Sequence, residues 1–284
     1  VEYARYLDQA ALAFGLNVQC DVDVLRLEPE EDNFALYTDH GVIRADYVIW
    51  ACGQFGAPSD GGLSGAEHAR HYASVKRWRD VPGDSVFVIG GYESGIDAAV
   101  NLARAGKEVT VFDIGSPWED GDKDPSRALS PFTQQRLRSA LRNGAINLEG
   151  RDEIVAIEAE GDDIRLYGSS GRSWLSPTAP ILATGFASGT APVSEWFEYG
   201  DDGLPLLTLQ DESTALPGLF LVGPEVSHNG FLFCFIYKFR QRFAVVARAI
   251  AGRLGADTSP LQMYRENNMY LDDLACCDDD KCLC

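Results

Sequence analysis

A glycine-rich turn is the segment of the sequence with the clearest chemical meaning. The six residues Gly90-Gly91-Tyr92-Glu93-Ser94-Gly95 follow an apolar run typical of a buried strand and begin a segment with helical periodicity. N–H groups at a helix start attract a pyrophosphate, and glycines allow the tight turn and close helix packing that this requires. Asp113 stands 23 positions after Gly90, at the end of the next predicted strand, where a carboxylate can accept a hydrogen bond from a ribose. These residues predict a dinucleotide site.

Tyr92 departs from the dinucleotide-binding pattern. It stands where the middle glycine is usual, and its side chain could crowd an approaching pyrophosphate. Gly91 beside it is expected to compensate. The alternative is an ordinary strand-to-helix turn whose glycines serve packing alone, but the complete strand–turn–helix–strand context favours binding.

The C-terminal tail is the second unusual segment. Its last nine residues contain four cysteines among several carboxylates: Cys276, Cys277, Cys282 and Cys284. Such thiols can exchange with a buried redox centre and an external disulfide, or can chelate Zn²⁺ or Cu(I). The carboxylates disfavour a thiolate until a metal or cationic partner arrives, and an acidic tail with incidental cysteines is a third alternative. We predict that the four cysteines act together, as catalytic redox residues or as metal ligands.

The other cysteines and the histidines carry weaker signals. Three cysteines are scattered singly in apolar contexts: Cys20, Cys52 and Cys234. This scatter predicts buried thiols in a reducing cytosol rather than a disulfide framework. His68, His71 and His228 have the residue type for acid–base chemistry, but a lone histidine is more often structural, and no catalytic role is predicted for them.

Charge and composition exclude several classes of partner. The 284 residues include 24 Lys and Arg against 43 Asp and Glu, a formal net charge of −19. Nucleic acid and an anionic membrane surface both require a basic face, so neither is an expected partner. The best apolar run, from Phe231 to Tyr237, is stopped by Lys238 far short of the roughly 20 residues of a membrane helix. A cytoplasmic protein is expected, and a homodimer is left open.

Hydrophobic periodicity predicts the elements that position these residues. In chain order, the predicted elements are a helix over 1–15, alternating strands over 18–52, a Gly/Pro-rich crossover over 53–65, a strand–helix–strand unit over 85–113, a helix from Ser130–Pro131 to about 143, alternating strands over 154–168, a buried strand over 218–224, an apolar helix over about 231–254 and a short polar helix after Pro260.

Two predicted strands end in an Ala-x-Gly pattern. They are Val48-Ile49-Trp50-Ala51-Cys52-Gly53 and Ile181-Leu182-Ala183-Thr184-Gly185, and a later apolar strand ends in Gly223-Pro224. These motifs, and their order around the Gly90 turn, resemble the two-dinucleotide-binding-domain flavoproteins. That superfamily of pyridine nucleotide-disulfide oxidoreductases includes thioredoxin reductases, bacillithiol-disulfide-reductase-like proteins and flavin monooxygenases. The resemblance extends to about Leu254, although Gly-Asp is commoner than Gly-Pro at the last strand.

The resemblance implies an α/β fold with two Rossmann-like lobes, the nicotinamide-binding lobe being inserted into a partial flavin-binding lobe. It also implies FAD lying across Gly53, Gly185, Gly223 and Pro224, with NAD(H) or NADP(H) at the Gly90 turn. The expected units are a partial FAD-binding lobe over 1–60, an NAD(P)-binding domain over 61–179, the remainder of the FAD-binding lobe over 180–256 and an acidic, cysteine-rich tail over 257–284.

Two motifs of the superfamily do not occur in the sequence. One is the strand–GxGxxG–helix segment that opens the family and holds the ADP part of FAD. We therefore expect further residues upstream of Val1 in the complete gene product, and weak FAD binding by the chain as it stands. The other is the CxxC that thioredoxin reductases carry shortly before the second glycine motif.

These features predict a flavin-dependent oxidoreductase that passes hydride from NAD(P)H to FAD and on to a disulfide or thiol-linked acceptor, with the tail cysteines as one route. NADH is expected to be favoured, because the Asp113 carboxylate repels a 2′-phosphate. A flavin monooxygenase and a flavin-less nucleotide- or metal-binding module are the alternatives. Oxygen consumption distinguishes the first alternative, and a visible spectrum distinguishes the second.

Overall fold

The computed structural model describes residues 2–121 and 128–274. The strands within these residues are β1 (Val24–Pro29), β2 (Phe34–Thr38), β3 (Gly41–Ala45), β4 (Val48–Trp50), β5 (Arg70–His71), β6 (Ser85–Ile89), β7 (Glu108–Phe112), β8 (Ile146–Glu149), β9 (Ile154–Glu160), β10 (Asp163–Gly168), β11 (Ser173–Ser176), β12 (Ile181–Leu182), β13 (Leu219–Leu221), β14 (Ser227–His228) and β15 (Phe231–Leu232). The α-helices are α1 (Glu2–Phe14), α2 (Glu93–Arg104), α3 (Pro131–Leu141), α4 (Ile236–Phe239), α5 (Phe243–Arg253) and α6 (Gln262–Glu266).

A five-stranded parallel sheet with α2 and α3 forms the first lobe. Its strand order is β5–β12–β6–β7–β8, and α2 packs on β6 and β7. Val88, Ile96 and Val111 are fully buried in the core between sheet and helix. Helix α2 ends where Gly106 takes a φ of 87°, a conformation that favours glycine. The predicted strand–helix–strand unit over 85–113 is confirmed.

An antiparallel sheet, β9–β10–β11, packs against the first lobe through an edge contact between the Phe112 and Trp174 rings. Asp152 organises its β10–β11 turn. The fully buried Asp152 carboxylate accepts hydrogen bonds from Ser169, Ser170 and the Arg172 guanidinium. These bonds, those from Ser170 above all, hold the pKa of Asp152 well below its usual range.

The second lobe is assembled from distant parts of the chain. Strands β4 and β13 pair in parallel, with Trp50 opposite Leu221, and the antiparallel sheet β1–β2–β3 lies beside them. Leu27, Val226 and Phe233 belong to the shared hydrophobic core. Helix α1 forms as predicted but has no buried residue.

The helix predicted from Phe231 to Leu254 is wrong in its first part. Strands β14 and β15 form a hairpin whose turn residues Asn229 and Gly230 have φ angles of 53° and 76°. An Asn-Gly pair with two positive φ angles is the usual two-residue hairpin turn, and it outweighs the apolar run that follows. Helical structure begins at Ile236 and passes through a 3₁₀ turn at Arg240–Arg242 into α5.

The prediction of buried cysteines is wrong for two of the three scattered thiols. Cys20 and Cys52 are exposed, and Cys234 is half-buried. Cys20 lies in the irregular link between α1 and β1, and Cys52 lies beyond the end of β4, so neither is packed within an element. Partial desolvation nevertheless raises the pKa of the Cys52 thiol, so this cysteine is not an activated nucleophile.

The two lobes are joined by crossing segments. Ile181–Leu182, which the predicted boundaries assign to the FAD-binding remainder, pairs with β5 and β6 in the first lobe. Leu219–Leu221 pairs with β4 in the second lobe. No helix in the described part of the chain is long and apolar enough to cross a bilayer.

Candidate functional site: two glycine-lined cradles

The Gly90 turn brings the start of α2 close to two strand ends. Gly90 has a φ of 99°, and a Cβ there would lie 2.4 Å from the Ala183 carbonyl oxygen, just beyond β12. A Cβ on Gly95 would lie 1.8 Å from the Gly90 carbonyl oxygen. Both contacts are with backbone atoms, which no rotamer change can relieve. These two glycines are therefore required for the helix to begin directly on the turn.

Among the described residues, no side chain caps the N-terminus of α2. An anion could therefore accept hydrogen bonds from the N–H groups of its first turn. Ser94, in the first turn, is half-buried.

Tyr92 and Glu93 direct their side chains away from this N-terminus. The Tyr92 hydroxyl donates to the Ala128 carbonyl oxygen at 2.9 Å. The Glu93 carboxylate accepts hydrogen bonds from the Ser130 N–H and, at 2.6 Å, from the Thr133 hydroxyl. Tyr92 is thus drawn toward the start of α3 by its hydroxyl, and Glu93 helps to cap α3. The predicted roles of these two side chains in nucleotide binding stay predictions.

Asp113 joins the end of β7 to the glycine turn. Its Oδ2 accepts a hydrogen bond from the Gly91 N–H at 2.7 Å, and its Oδ1 accepts one from the Gly115 N–H at 2.9 Å. A Cβ on Gly91 would meet the Trp118 ring at 2.3 Å, so glycine is required here as well. Each carboxylate oxygen retains a lone pair, and Asp113 can accept a further hydrogen bond from a ligand hydroxyl.

A cleft of about 370 Å³ opens at the carboxyl ends of β6 and β7. Three carboxylates, Asp60, Asp113 and Glu153, line it, and no Lys, Arg or His is found among its lining residues within the described chain. The carboxyl ends of parallel strands are the usual ligand edge of an open α/β sheet. The cradle at Gly90 and Gly95, the uncapped helix and this cleft fit a dinucleotide.

A second cradle lies where the chain leaves β4 and β13. Gly53, Gly185 and Gly223 have φ angles of 59°, 87° and 117°, and nothing lies within 4 Å of a Cβ built on any of them. Because β4 and β13 are parallel neighbours, Gly53 and Gly223, which come just after these strands, lie at the same edge of the sheet. Pro224 beside them is half-buried. Open space beside three glycine turns fits the flavin that the resemblance implies.

Glu225 and Trp50 are residues of this second cradle that the sequence did not single out. They hold the two peptide groups that flank Gly189: the Gly189 N–H donates to Glu225 Oε2 at 2.9 Å, and the Gly189 carbonyl accepts from Trp50 Nε1 at 2.8 Å. A Cβ on Gly189 would lie 1.7 Å from the Gly53 carbonyl oxygen. The contacts join positions 139 and 36 residues apart, so no local pattern could have predicted them.

His71 contacts the segment that follows β12, at Gly185. Its Nε2 lies 3.0 Å from the Gly185 carbonyl oxygen, and its Nδ1 accepts from the Ala73 N–H at 3.2 Å. Its ring also meets the Phe186 ring edge-on. Both ring nitrogens are thus used in structural contacts.

A buried charged cluster, which sequence reasoning also missed, lies in the second lobe. Asp211 and Arg242 are fully buried, and Asp211 Oδ1 lies 2.6 Å from His228 Nε2 and 2.7 Å from Arg242 Nη2. A second bond links Arg242 Nε to Asp211 Oδ2 at 3.0 Å. The residues of this cluster are spread over 31 positions of the sequence, so no short motif indicates them.

The tail cysteines Cys276, Cys277, Cys282 and Cys284 lie outside the described residues. The segment immediately before them is docked on the second lobe. Leu274 is buried in the core cluster that contains Trp50 and Val226, and the Leu271 N–H donates to the Gln241 carbonyl. Within the described chain, no group of three or more His, Cys, Asp or Glu side chains could hold a metal ion.

Comparisons with known proteins agree with this geometry. Bacilliredoxin reductase Bdr from Bacillus subtilis (strain 168) is 27% identical over 230 residues, which cover 79% of this chain and 67% of that protein. A ferredoxin–NADP reductase from Mesorhizobium japonicum is 24% identical over 227 residues, which cover 78% of this chain and 64% of that protein. The chain thus spans about two thirds of the length of these curated relatives.

Solved structures share the fold at low sequence identity. Bacillithiol disulfide reductase Bdr from Bacillus cereus superposes with a TM-score of 0.70 at 20% identity, over 88% of this chain and 77% of its own. Thioredoxin reductase from T. acidophilum gives a TM-score of 0.71 at 17% identity, over 90% and 81%. The two-lobed Rossmann-type α/β fold is therefore confirmed. A family profile described as pyridine nucleotide-disulphide oxidoreductase matches residues 1–223, and the chain, which has both glycine cradles in that stretch, belongs to this family.

Proposed function

We propose that this protein is an NADH-dependent flavoprotein oxidoreductase that reduces a disulfide. The observation that carries the proposal is the pair of glycine cradles, one at the start of α2 and one at the ends of β4 and β13, in a chain of the pyridine nucleotide-disulphide oxidoreductase family. The first cradle would hold the nicotinamide dinucleotide and the second would hold FAD. When bound, FAD supplies the two-electron chemistry that links a hydride donor to a thiol-type acceptor.

The preference for NADH rests on the acidic cleft. Asp113 is fixed by two backbone N–H groups beside the glycine turn, and Asp60 and Glu153 line the same space. A ribose 2′-hydroxyl can donate to the Asp113 carboxylate, whereas a 2′-phosphate would add two negative charges to this cluster. Relatives with either cofactor in their names, a ferredoxin–NADP reductase and an NADH oxidase, are among the similar proteins.

The disulfide acceptor and the tail cysteines form the second part of the proposal. Bacilliredoxin reductase and bacillithiol disulfide reductase, by their names, act on disulfide-linked partners. Leu274 anchors the chain in the core beside Trp50, and only Ala275 separates it from Cys276 in the sequence. This anchoring supports a relay in which Cys276 or Cys277 pairs with Cys282 or Cys284 in the oxidised form.

The proposal includes a metal-binding alternative for the tail, a cellular compartment and an oligomeric state. Zinc or copper(I) bound by the four tail cysteines is the alternative to the relay. We also place the reaction in the cytoplasm, with a homodimer as one oligomeric state to be measured.

Anaerobic stopped-flow kinetics with FAD-loaded protein tests the proposal. NADH should bleach the flavin absorbance near 450 nm, and a disulfide such as bacillithiol disulfide or oxidised bacilliredoxin should restore it. NADPH should bleach the flavin at least tenfold less efficiently. Flavin that is reduced by NADH but reoxidised only once oxygen is admitted would instead support the monooxygenase alternative, and a complete gene product that takes up no flavin would refute the proposal.

A further inference from the structure

Among the four histidines, His228 differs from the others in its surroundings. His40 is exposed, His68 is half-exposed, and His71 uses both ring nitrogens in backbone contacts. His228 is 8% exposed, and in the described chain its Nε2 has a hydrogen-bond partner while its Nδ1 has none. A buried imidazole with one free nitrogen can accept and release a proton there.

Asp211 fixes the orientation of this imidazole. Its carboxylate lies 2.6 Å from His228 Nε2, which makes Nε2 the protonated nitrogen and leaves the lone pair on Nδ1. Asp211 is fully buried and has a φ of 62°, a backbone conformation that costs free energy for a residue other than glycine. Such a conformation is retained where the surrounding contacts determine it.

Arg242 supplies those contacts. Its guanidinium makes two hydrogen bonds to the Asp211 carboxylate, one to the Leu209 carbonyl at 2.7 Å and one to the Leu271 carbonyl. Arg242 offsets the charge of the Asp211 carboxylate, so this buried carboxylate is paired while it holds His228 Nε2. Lys238 also lies near this hairpin, with its Nζ 4.3 Å from the Phe231 ring centroid.

The position of His228 places it beside the second cradle. The Phe233 N–H at the base of the β14–β15 hairpin donates to the Val226 carbonyl, and the Val226 N–H donates to the Gly223 carbonyl. Phe231 and Phe233 share a core with Trp50 at the end of β4. The hairpin therefore lies at the strand edge where Gly53 and Gly223 turn.

The proposed reaction requires a proton. In NADH + H⁺ + RSSR → NAD⁺ + 2 RSH, the S–S bond breaks, the electron pair comes from NADH, and one proton comes from solvent for each turnover. We propose that His228 transfers this proton through Nδ1, with Asp211 and Arg242 as positioning residues. This inference rests on the proposed function and adds to it a residue for proton transfer.

A purely structural role for the cluster makes a different prediction. Asp211, His228 and Arg242 would then serve only to hold the hairpin, and any replacement that keeps the hydrogen bond would be tolerated. His228→Gln is such a replacement, because its amide can still donate to Asp211 but cannot ionise. His40→Gln is the matched control, since His40 also contacts a carboxylate, that of Asp39, but lies at the exposed β2–β3 turn.

Two measurements on the FAD-loaded full chain test the inference. Histidine ring ¹⁵N labelling should show the His228 ring proton on Nε2 and none on Nδ1, with its signals identified by loss in H228Q. Disulfide-dependent NADH oxidation should fall about 100-fold in H228Q and lose one ionisation from its pH profile, while flavin reduction by NADH stays within twofold of the wild-type rate. The H40Q variant should match the wild type in both.

The outcomes separate the inference from the proposed function. A His228 ring proton found on Nδ1, or an H228Q variant with wild-type turnover and pH profile, would overturn the inference alone. A wild-type protein without disulfide-dependent turnover would overturn the proposed function and this inference together. Should H228Q fold poorly, Asp211→Asn, which keeps an oxygen toward Arg242, should lower the same turnover and change the ring ¹⁵N signals of His228; wild-type turnover in this variant would overturn the inference.

Discussion

Gly95→Ala is the most direct test of the first cradle. The new Cβ would stand 1.8 Å from the Gly90 carbonyl oxygen, whereas ordinary van der Waals contact begins near 3.4 Å. Since the opposing atom belongs to the backbone, the start of α2 must retreat by about 1.6 Å from the turn. The N–H groups at that helix start would move with it.

The size of the effect follows from this displacement. A hydrogen bond of about 2.9 Å to a phosphate oxygen would lengthen beyond about 4 Å and be lost. Two such bonds to a charged group contribute about 3–6 kcal/mol, and partial relaxation by tilting of α2 should retain some of it. We therefore expect NADH to bind at least about 100-fold more weakly to the Gly95→Ala variant.

Gly106→Ala provides the control. Gly106 also has a positive φ, 87°, but nothing lies within 4 Å of its added Cβ. This variant should lose about 1 kcal/mol of stability through backbone strain and keep its NADH affinity. Both affinities can be measured by the fluorescence of bound NADH, with circular dichroism to verify folding. NADH binding by Gly95→Ala within threefold of the wild type would refute the assignment of the pyrophosphate to the α2 N-terminus.

Three further predictions concern the cleft, the tail and acid stability. Asp113→Arg should shift the ratio of kcat/KM for NADH over NADPH at least tenfold toward NADPH in steady-state kinetics, and an unchanged ratio would remove Asp113 from cofactor selection. Truncation after Leu274 should abolish disulfide-dependent NADH oxidation, or in the alternative Zn²⁺ or Cu(I) binding, while leaving ferricyanide reduction intact; full retention of both would make the tail cysteines incidental. The hydrogen bonds from Arg253 lower the pKa of Glu212 below 4.5. The ionised Glu212 carboxylate therefore stabilises the folded protein above that pH, and this stabilisation is lost as the pH falls. The difference in Tm between the wild type and Glu212→Gln should therefore be larger at pH 7 than at pH 3, and a constant difference would contradict this.

Local sequence patterns predicted the elements whose causes are local. The strand–turn–helix–strand unit around Gly90 follows from three local signals: the spacing of the apolar residues, the spacing of the glycines, and Gly106, at which the helix ends. The helix start at Ser130 follows from a cap and a proline, and the Ser130 hydroxyl indeed accepts from the Thr133 N–H at 3.3 Å. The Asn229–Gly230 pair is also a local signal, typical of a hairpin turn, and it competes with the helical signal of the apolar run that follows.

Long-range contacts could not be predicted in the same way. The Asp211–His228–Arg242 cluster and the Trp50–Gly189–Glu225 contacts join segments that only the completed fold brings together. Their residues have ordinary neighbours in sequence, and each depends on a backbone position set elsewhere. The same reason explains why the sequence indicated the glycines of both cradles but not the side chains that hold the cradles in place.

The pairing of β4 with β13 has a consequence for biosynthesis. Trp50 and Leu221 are adjacent in the parallel pair but about 170 residues apart in the chain. At translation rates of roughly 5–20 residues per second, β4 leaves the ribosome about 10–30 s before its partner strand exists. During that interval Val48 and Trp50, buried in the finished protein, must remain without their partner strand while the first lobe completes. The nascent second lobe is therefore the part of the molecule with the greatest need for a chaperone, and slower translation between residues 50 and 219 should lower the yield of soluble protein.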